Sequence, residues 1–232
     1  MSDAAPVLEV RGVRPHAAAG QLSALLLDFR VMPGQCIVIE VHDATLAAEF
    51  VDLCCGLLPP LEGQVRFLGL DWSAVSHEHA AAMRGHIGRT YGANSWVSFL
   101  GTDENILWPQ LHHTRRPEPI LRETAAELAR SFGLPGLPLT SPDGLTRGDL
   151  VRADCVRAFL GDPRLVIIES AALERVANLE PALLNALTAT RDRQTCSIWL
   201  TRGDSSWKDR AFPATMRLRL TERGLVPTGA LP

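Results

Sequence analysis

The run Cys36-Ile37-Val38-Ile39-Glu40-Val41 is nearly all apolar, and a stretch of helical periodicity at 47–57, closing on Gly56, follows it directly. A strand with no polar side needs cover on both faces, which a helix-flanked parallel sheet supplies and a surface hairpin does not. The alternation returns at 165–168, with a helical stretch at 180–190, and again at 197–201. Buried strand alternating with helix predicts an α/β fold built on a parallel sheet.

Ahead of this core, 8–13 and 22–31 read as two early strands, and Pro33-Gly34 turns the chain into Cys36. Residues 59–63 read as a turn, 64–69 as a short strand, 71–89 as a mixed region and 87–91 as a further strand. From 92 to about 159 the periodicity lengthens. Leu121, Ala125, Leu128, Ala129 and Phe132 share one helical face, and Gly133 suits a left-handed cap after them. A loop is expected at 135–142 and a second helix at 149–160, while 217–220 and 225–228 close the sheet at an edge.

A chain of 232 residues can bury one substantial core, with or without an inserted subdomain. Its 46% hydrophobic and 21% charged content excludes a disordered chain, and a net charge of -3 offers no basic footprint for nucleic acid. No stretch reaches the roughly 18 to 20 uninterrupted apolar residues of a membrane span. Met1-Ser2-Asp3-Ala4-Ala5-Pro6 lacks the basic-then-apolar order of a secretory signal. Cys36, Cys54, Cys55, Cys155 and Cys196 sit mostly in apolar runs without ligand-like spacing, so buried reduced thiols are expected. His77-Glu78-His79 and His112-His113 read as solvated polar loops rather than metal ligands, and Thr114-Arg115-Arg116-Pro117 as an exposed approach to a helix.

Chemistry is expected where the first buried strand meets its helix. A loop of the form G-x-x-x-x-G-K-[ST] holds phosphates through backbone N–H groups freed by glycine, a lysine, and a hydroxyl for magnesium. The stretch present, Val41-His42-Asp43-Ala44-Thr45-Leu46-Ala47-Ala48, has no glycine and no lysine. Val41, Leu46, Ala47 and Ala48 stand at the four defining places, with Glu49 next.

The segment from Leu145-Thr146-Arg147-Gly148-Asp149 through Arg152, Arg157-Ala158 and Pro163 to the apolar strand ending in Glu169-Ser170 resembles the ATP-binding cassette (ABC) ATPase subunits of membrane transporters. There it is similar to the L-S-G-G-Q signature, its helix, and the strand ending in an acidic pair. Leu53-Cys54-Cys55-Gly56-Leu57-Leu58-Pro59-Pro60-Leu61-Glu62-Gly63-Gln64-Val65 is similar to the helix, turn and strand after the phosphate loop, and anchoring on Gly56 puts the lysine position at Ala47. The resemblance spans about residues 8–207. It implies one ABC-type nucleotide-binding domain over 1–232: a RecA-like α/β core with an antiparallel β portion, about 8–92 and 160–230, and an inserted helical subdomain, about 93–159.

The resemblance also assigns roles that the residues here do not match. The magnesium-binding aspartate and the catalytic glutamate correspond to Glu169 and Ser170, and a serine hydroxyl has no basicity near neutral pH. The glutamine that senses magnesium corresponds to Gly92, and the switch histidine to Arg202. In the signature, Arg147 replaces a glycine that lets backbone amides approach the γ-phosphate bound by a partner subunit. Residues 96–109 resemble the stretch where a permease docks a short helix, with Trp96, Phe99, Leu100 and Trp108 as candidate groove residues or, equally, subdomain core. Glu104-Asn105-Ile106-Leu107-Trp108-Pro109 is similar to the E-N-V-x-x-P form of lipid-transport and lipoprotein-release branches.

These resemblances imply a catalytically degenerate cassette, a pseudo-ATPase without bound cofactor. It would partner a membrane permease, pair with itself or with another ABC ATPase, and lie peripherally on the cytoplasmic face of an inner membrane. Two alternatives stand beside it. One is a divergent working ATPase using ATP and magnesium. The other is a soluble regulatory platform without a transporter.

Overall fold

The computed structural model of the chain describes residues 5–16, 20, 22, 24–91, 95–169, 176–202, 212–221 and 223–228. A small antiparallel sheet comes first in the chain. It is built from β1 (Leu8–Pro15), β2 (Leu27–Val31), β4 (Pro60–Phe67) and β5 (Leu70–Asp71), in the order β2-β1-β4-β5. The larger sheet contains β3 (Cys36–Glu40), β6 (Ile87–Arg89), β7 (Leu165–Glu169), β8 (Cys196–Thr201), β9 (Met216–Thr221) and β10 (Gly224–Pro227), in the order β10-β9-β3-β8-β7-β6. Its pairings are parallel except for β10 against β9, the edge closure expected from the sequence. Among the described residues there are six α-helices: α1 (Ala44–Cys54), α2 (His77–Arg84), α3 (Thr102–His113), α4 (Glu118–Ser131), α5 (Arg147–Phe159) and α6 (Leu179–Arg191).

The two-residue period of a strand divides β3 between two cores. Ile37 and Ile39 face one way with Ile167, Ile198 and Leu200, and join α1 and the small sheet through Phe50, Leu8 and Phe67. Cys36 and Val38 face the other way with Val166, Ile168 and Trp199, and meet the helices through Ile106, Leu121, Phe132, Val156 and Leu183. Every residue of β3 and β8 is buried, which explains their unbroken apolar character. All five cysteines are buried and free, and burial pushes their thiols up, those of Cys55 and Cys196 to about 12. Among the described residues no helix is long and apolar enough to cross a membrane.

Several boundaries differ from the sequence expectation. Helix α1 begins at Ala44 rather than 47 and ends at Cys54, and Gly56 takes a positive φ of 65° just beyond it. The expected turn at 59–63 is instead the start of β4, because Pro15 pairs with Pro60 and Arg14 with Glu62 across an irregular register. Strand β2 starts only at Leu27. His77 and His79 lie in the first turn of α2, exposed and capped by Ser76, and not in a loop. His112 and His113 end α3 with their rings 4.8 Å apart, and His113 is partly buried rather than solvated.

At that end of α3, Gln110 Nε2 donates to the Gly85 carbonyl and brings the turn between α2 and β6 against the helix. Desolvation, reinforced by Arg116 and Arg164, lowers the pKa of His86, and desolvation with His112 and Arg84 lowers that of His113. A base with a depressed folded pKa stays neutral while its unfolded counterpart takes up a proton, so stability is lost as pH falls from the ordinary histidine value through the folded one. The melting temperature is therefore expected to fall between pH 7.5 and 5.5. The fall should be smaller in a His86→Asn/His113→Gln variant by differential scanning fluorimetry, and an unchanged slope would remove these histidines as its source.

Candidate functional site

Strand β3 and helix α1 are joined by Val41, His42 and Asp43 alone. The Val41 N–H donates to the Thr201 carbonyl (2.8 Å), extending the pairing with β8 and burying the side chain. Asp43 is extended (φ -85°, ψ 123°), and its carboxylate accepts from the backbone N–H groups of Thr45 (2.7 Å) and Leu46 (2.9 Å). The Ala47 N–H goes to the Asp43 carbonyl. Asp43 followed by Ala-Thr-Leu-Ala-Ala is an N-cap followed by good helix formers, and the chain winds accordingly. The second half of the expected phosphate loop, Ala44 to Leu46, is therefore the first turn of a helix. The Thr45, Leu46 and Ala47 amides at this helix start are partnered within the chain, and the helix dipole is offset by the chain's own carboxylate.

The remaining loop positions diverge. Leu46 is buried in the first core and Ala47 packs at its margin. Glu49 faces away from the junction, where its carboxylate accepts from the Leu22 N–H (3.0 Å). Ala48 is half-buried on α1.

Glu169 ends β7 at the same edge of the sheet. Its carboxylate accepts from Arg89 Nε (2.9 Å), and Arg89 Nη1 reaches Asp52 on α1 (2.7 Å). Burial raises the Glu169 pKa, and Arg89 only partly offsets that. Burial alone would weaken the Arg89 guanidinium as a base, but the carboxylates of Glu169 and Asp52 overcome this and hold it charged. The carboxylate that the resemblance offers to a metal is thus an ion-pair partner of an internal cation. Two strands away, Glu40 at the end of β3 is held by Arg219 (2.8 Å) and by His42 Nε2 (2.9 Å). Arg89 was missed from the sequence, although a charge in Ile87-Gly88-Arg89, a strand at the edge of the larger sheet and partly buried, calls for a counter-ion.

Val41, Asp43, Ala44, Ala47, Glu169, Leu200, Thr201 and Arg202 line a cavity of about 60 Å³, room for a few waters. Val41, Ala47, Glu169 and Arg202 are therefore brought together as their sequence positions implied. Arg202 is exposed at the end of β8 and brings a cation to the rim opposite two carboxylates. Gly92 and Ser170 lie outside the described residues. No group of three or more His, Cys, Asp or Glu able to hold a metal occurs among the described residues.

None of the five signature residues lines this cavity. Thr146 caps α5, accepting from the Asp149 N–H (3.1 Å) and donating to the Asp149 carboxylate (2.7 Å), so an acid already stands at this helix start. Arg147 is exposed in the first turn, and Leu145 and Gly148 are half-buried.

The stretch before α3 is fixed by buried Asn105, whose side chain bonds to the backbone of Val97, Leu100 and Gly101. Leu100 is half-buried within that turn, while Phe99 projects with 87% of its surface exposed. Trp108 on α3 is 58% exposed. Trp96 instead packs on the second core, with the Arg157 guanidinium 4.6 Å from its ring. Two of the four candidate docking residues are thus open to a partner, one is half-buried, and Trp96 contributes to the core.

A six-stranded, mainly parallel sheet with an antiparallel sheet on one face and helices on the other is the architecture of ATP-binding cassettes. The chain superposes on the dimeric bacterial ABC transporter cassette MJ0796 with a TM-score of 0.78 at 15% identity, covering 93% of this chain and 94% of that one. It also superposes on an ATP-binding subunit of an ABC transporter with a TM-score of 0.76 at 17% identity, covering 94% and 88%. The fold is that of an ABC nucleotide-binding cassette. No protein-family model matches the chain.

In sequence the chain is similar to ATP-binding subunits of ABC transporters. It is 25% identical to the intermembrane phospholipid transport system ATP-binding protein MlaF of Haemophilus influenzae over 62% of its length, and the match spans only 54% of that relative. It is 27% identical to the lipoprotein-releasing system ATP-binding protein LolD of Anaeromyxobacter dehalogenans, covering 72% of this chain and 71% of that protein. The nickel import ATP-binding protein NikE of Pseudomonas putida is also 27% identical, over 78% and 67%.

Proposed function

We propose that the chain is a catalytically degenerate ABC cassette that serves a membrane transport complex, of the lipid-transport kind, as a structural or regulatory subunit. The observation that carries this reading is the first turn of α1. Its amides are taken by Asp43 and by the helix itself, no lysine follows, and an entering phosphate meets the carboxylates of Asp43 and Glu169. Phosphoryl transfer rests almost wholly on positioning and electrostatic stabilisation, so a site that lacks the loop lysine and whose helix-start amides are already engaged has lost its main means of catalysis, even with Arg202 at its rim. The internal ion pair of Glu169 with Arg89 supports the same reading, because it engages the carboxylate that would meet magnesium.

The partner is an integral membrane permease, docked against the exposed aromatics Phe99 and Trp108, with a second cassette completing the complex. The chain then works as a peripheral protein on the cytoplasmic membrane face. The lipid assignment rests on the similarity to MlaF and LolD, which serve phospholipid transport and lipoprotein release, and on Glu104-Asn105 near the start of α3.

Calorimetry of the purified chain with ATP and magnesium tests the reading, beside an Ala47→Lys variant and a phosphate-release assay. The parent is expected to show no heat of binding and no release. Ala47→Lys is also expected to fail, because a lysine there does not free the amides held by Asp43. Micromolar binding with turnover by the parent would establish a divergent working ATPase instead.

A further inference from the structure

Arg89 links three elements that are distant in sequence. Its guanidinium joins Asp52 on α1 to Glu169 on β7, and it lies 4.7 Å from the centre of the Tyr91 ring. A second guanidinium, from Arg157 on α5, lies 4.9 Å from the same ring and 4.6 Å from that of Trp96. Arg157 is paired with buried Asp154 (2.6 Å) and bonds to the Ser95 hydroxyl and carbonyl, while Asp154 accepts from the Tyr91 N–H (2.8 Å). Beyond Trp96, the backbone of Val97 is tied to Asn105, which shapes the turn carrying Phe99. A continuous set of ion pairs, cation–ring contacts and hydrogen bonds therefore runs from the cavity edge to the exposed aromatic surface. Every member of it is supplied by the chain.

We propose that Arg89 is a built-in counter-ion that fastens α1, β7 and Tyr91 together without a ligand and, through Arg157, holds Ser95 and Trp96, so that the surface around Phe99 is set by the chain rather than by nucleotide. This rests on the degenerate-site reading, which it deepens by naming what stands in for a bound group. Arg89 is a positioning residue. It lies partly buried between two carboxylates, with which it makes charge-assisted bonds, and its contact with the Tyr91 ring links the charge at the cavity to the position of Tyr91. A partner docked on Phe99 and Trp108 then meets one preset conformation, which suits a subunit that holds an assembly rather than cycling within it.

Amide hydrogen exchange on the whole chain, with and without ATP and magnesium, provides the test, using the parent, Arg89→Met, Arg89→Lys and Asp52→Asn. In the parent, exchange over 91–101 is expected to be the same with and without nucleotide. Arg89→Met should speed exchange at Tyr91 and Val97 about tenfold or more, as loss of a charge-assisted contact allows, while α4 stays protected. Arg89→Lys should give a smaller increase, since an ammonium cannot bridge both carboxylates as the guanidinium fork does. Asp52→Asn removes only the more exposed arm and should raise exchange about threefold, giving a readout even if Arg89→Met does not fold. A folded Arg89→Met with parental exchange over 91–97, or an Asp52→Asn that changes nothing where Arg89→Met is unfolded, would overturn the proposal. So would nucleotide-dependent protection of 91–101 in the parent. Parental ATP binding that leaves this segment unchanged would defeat the degenerate-site reading alone, whereas absent binding with parental exchange in Arg89→Met would defeat the counter-ion alone.

Discussion

Gly88→Ala is expected to lower stability by about 3 kcal/mol or more, the upper range for overpacking a close-packed interior. Gly88 is the middle residue of β6 and lies under α5. An added Cβ would stand 1.7 Å from the Ala158 carbonyl oxygen and 2.8 Å from its carbon. Both are backbone atoms of a helix packed on its inner side through Val151, Cys155, Val156 and Phe159, so no side-chain rotation relieves the clash. Either α5 lifts away from β6 or β6 moves from β7, and each breaks core contacts. Alanine's lower unfolded-state entropy offsets only about 0.4–1 kcal/mol of this. For a chain of this size the loss corresponds to a melting temperature about 6–12 °C lower. Gly136→Ala is the control: its Cβ meets nothing within 4 Å, and a change within about 0.5 kcal/mol is expected. A Gly88→Ala urea midpoint equal to the parent's would show that β6 and α5 do not approach as described.

How much of this architecture was readable depended on whether the governing forces were local. Strands β3, β7 and β8 are buried on both faces and announce themselves as apolar runs, and α4 carries its core on one regular stripe. The start of α1 was misplaced even though Asp43 and the alanines after it are ordinary helix-start signals. Matching to a phosphate-loop template reserved those residues for a loop, and local propensity prevailed in the fold. The opposite happened at β4, where Pro59-Pro60 and Gly63 are turn signals and pairing with β1 overrode them. At the candidate site, Val41, Ala47, Glu169 and Arg202, which the resemblance singled out, line one cavity, because the ends of neighbouring parallel strands lie at the same edge of the sheet. The ionic partners were not readable. Arg89 finds Asp52 at 37 residues' separation and Glu169 at 80, and Tyr91 finds Asp154 at 63. Nothing local in the sequence announces such pairings.

The largest electrostatic penalty is expected at Arg157. Its side chain is 8% exposed and that of Asp154 2%, so the pair sits almost wholly out of water. Removing the cation leaves a buried carboxylate that still accepts from the Tyr91 N–H but has lost its guanidinium, and Arg157→Met is expected to cost about 3–5 kcal/mol. The ion pair itself need not contribute this much, because desolvating both charges consumes most of their attraction. A double variant separates these quantities. Asp154→Asn/Arg157→Met removes both charges and keeps an acceptor for the Tyr91 amide, so it should be more stable than Arg157→Met alone, with a coupling energy within about 0.5–3 kcal/mol. Urea unfolding of the parent, both single variants and the double closes the cycle. If Arg157→Met costs less than about 1 kcal/mol, the guanidinium behaves as an exposed group and Tyr91 and Trp96 are held by something else. A large single-variant loss largely recovered in the double would instead show that these two buried charges act as one unit, tying α5 to the segment that leads from the cavity to the docking surface.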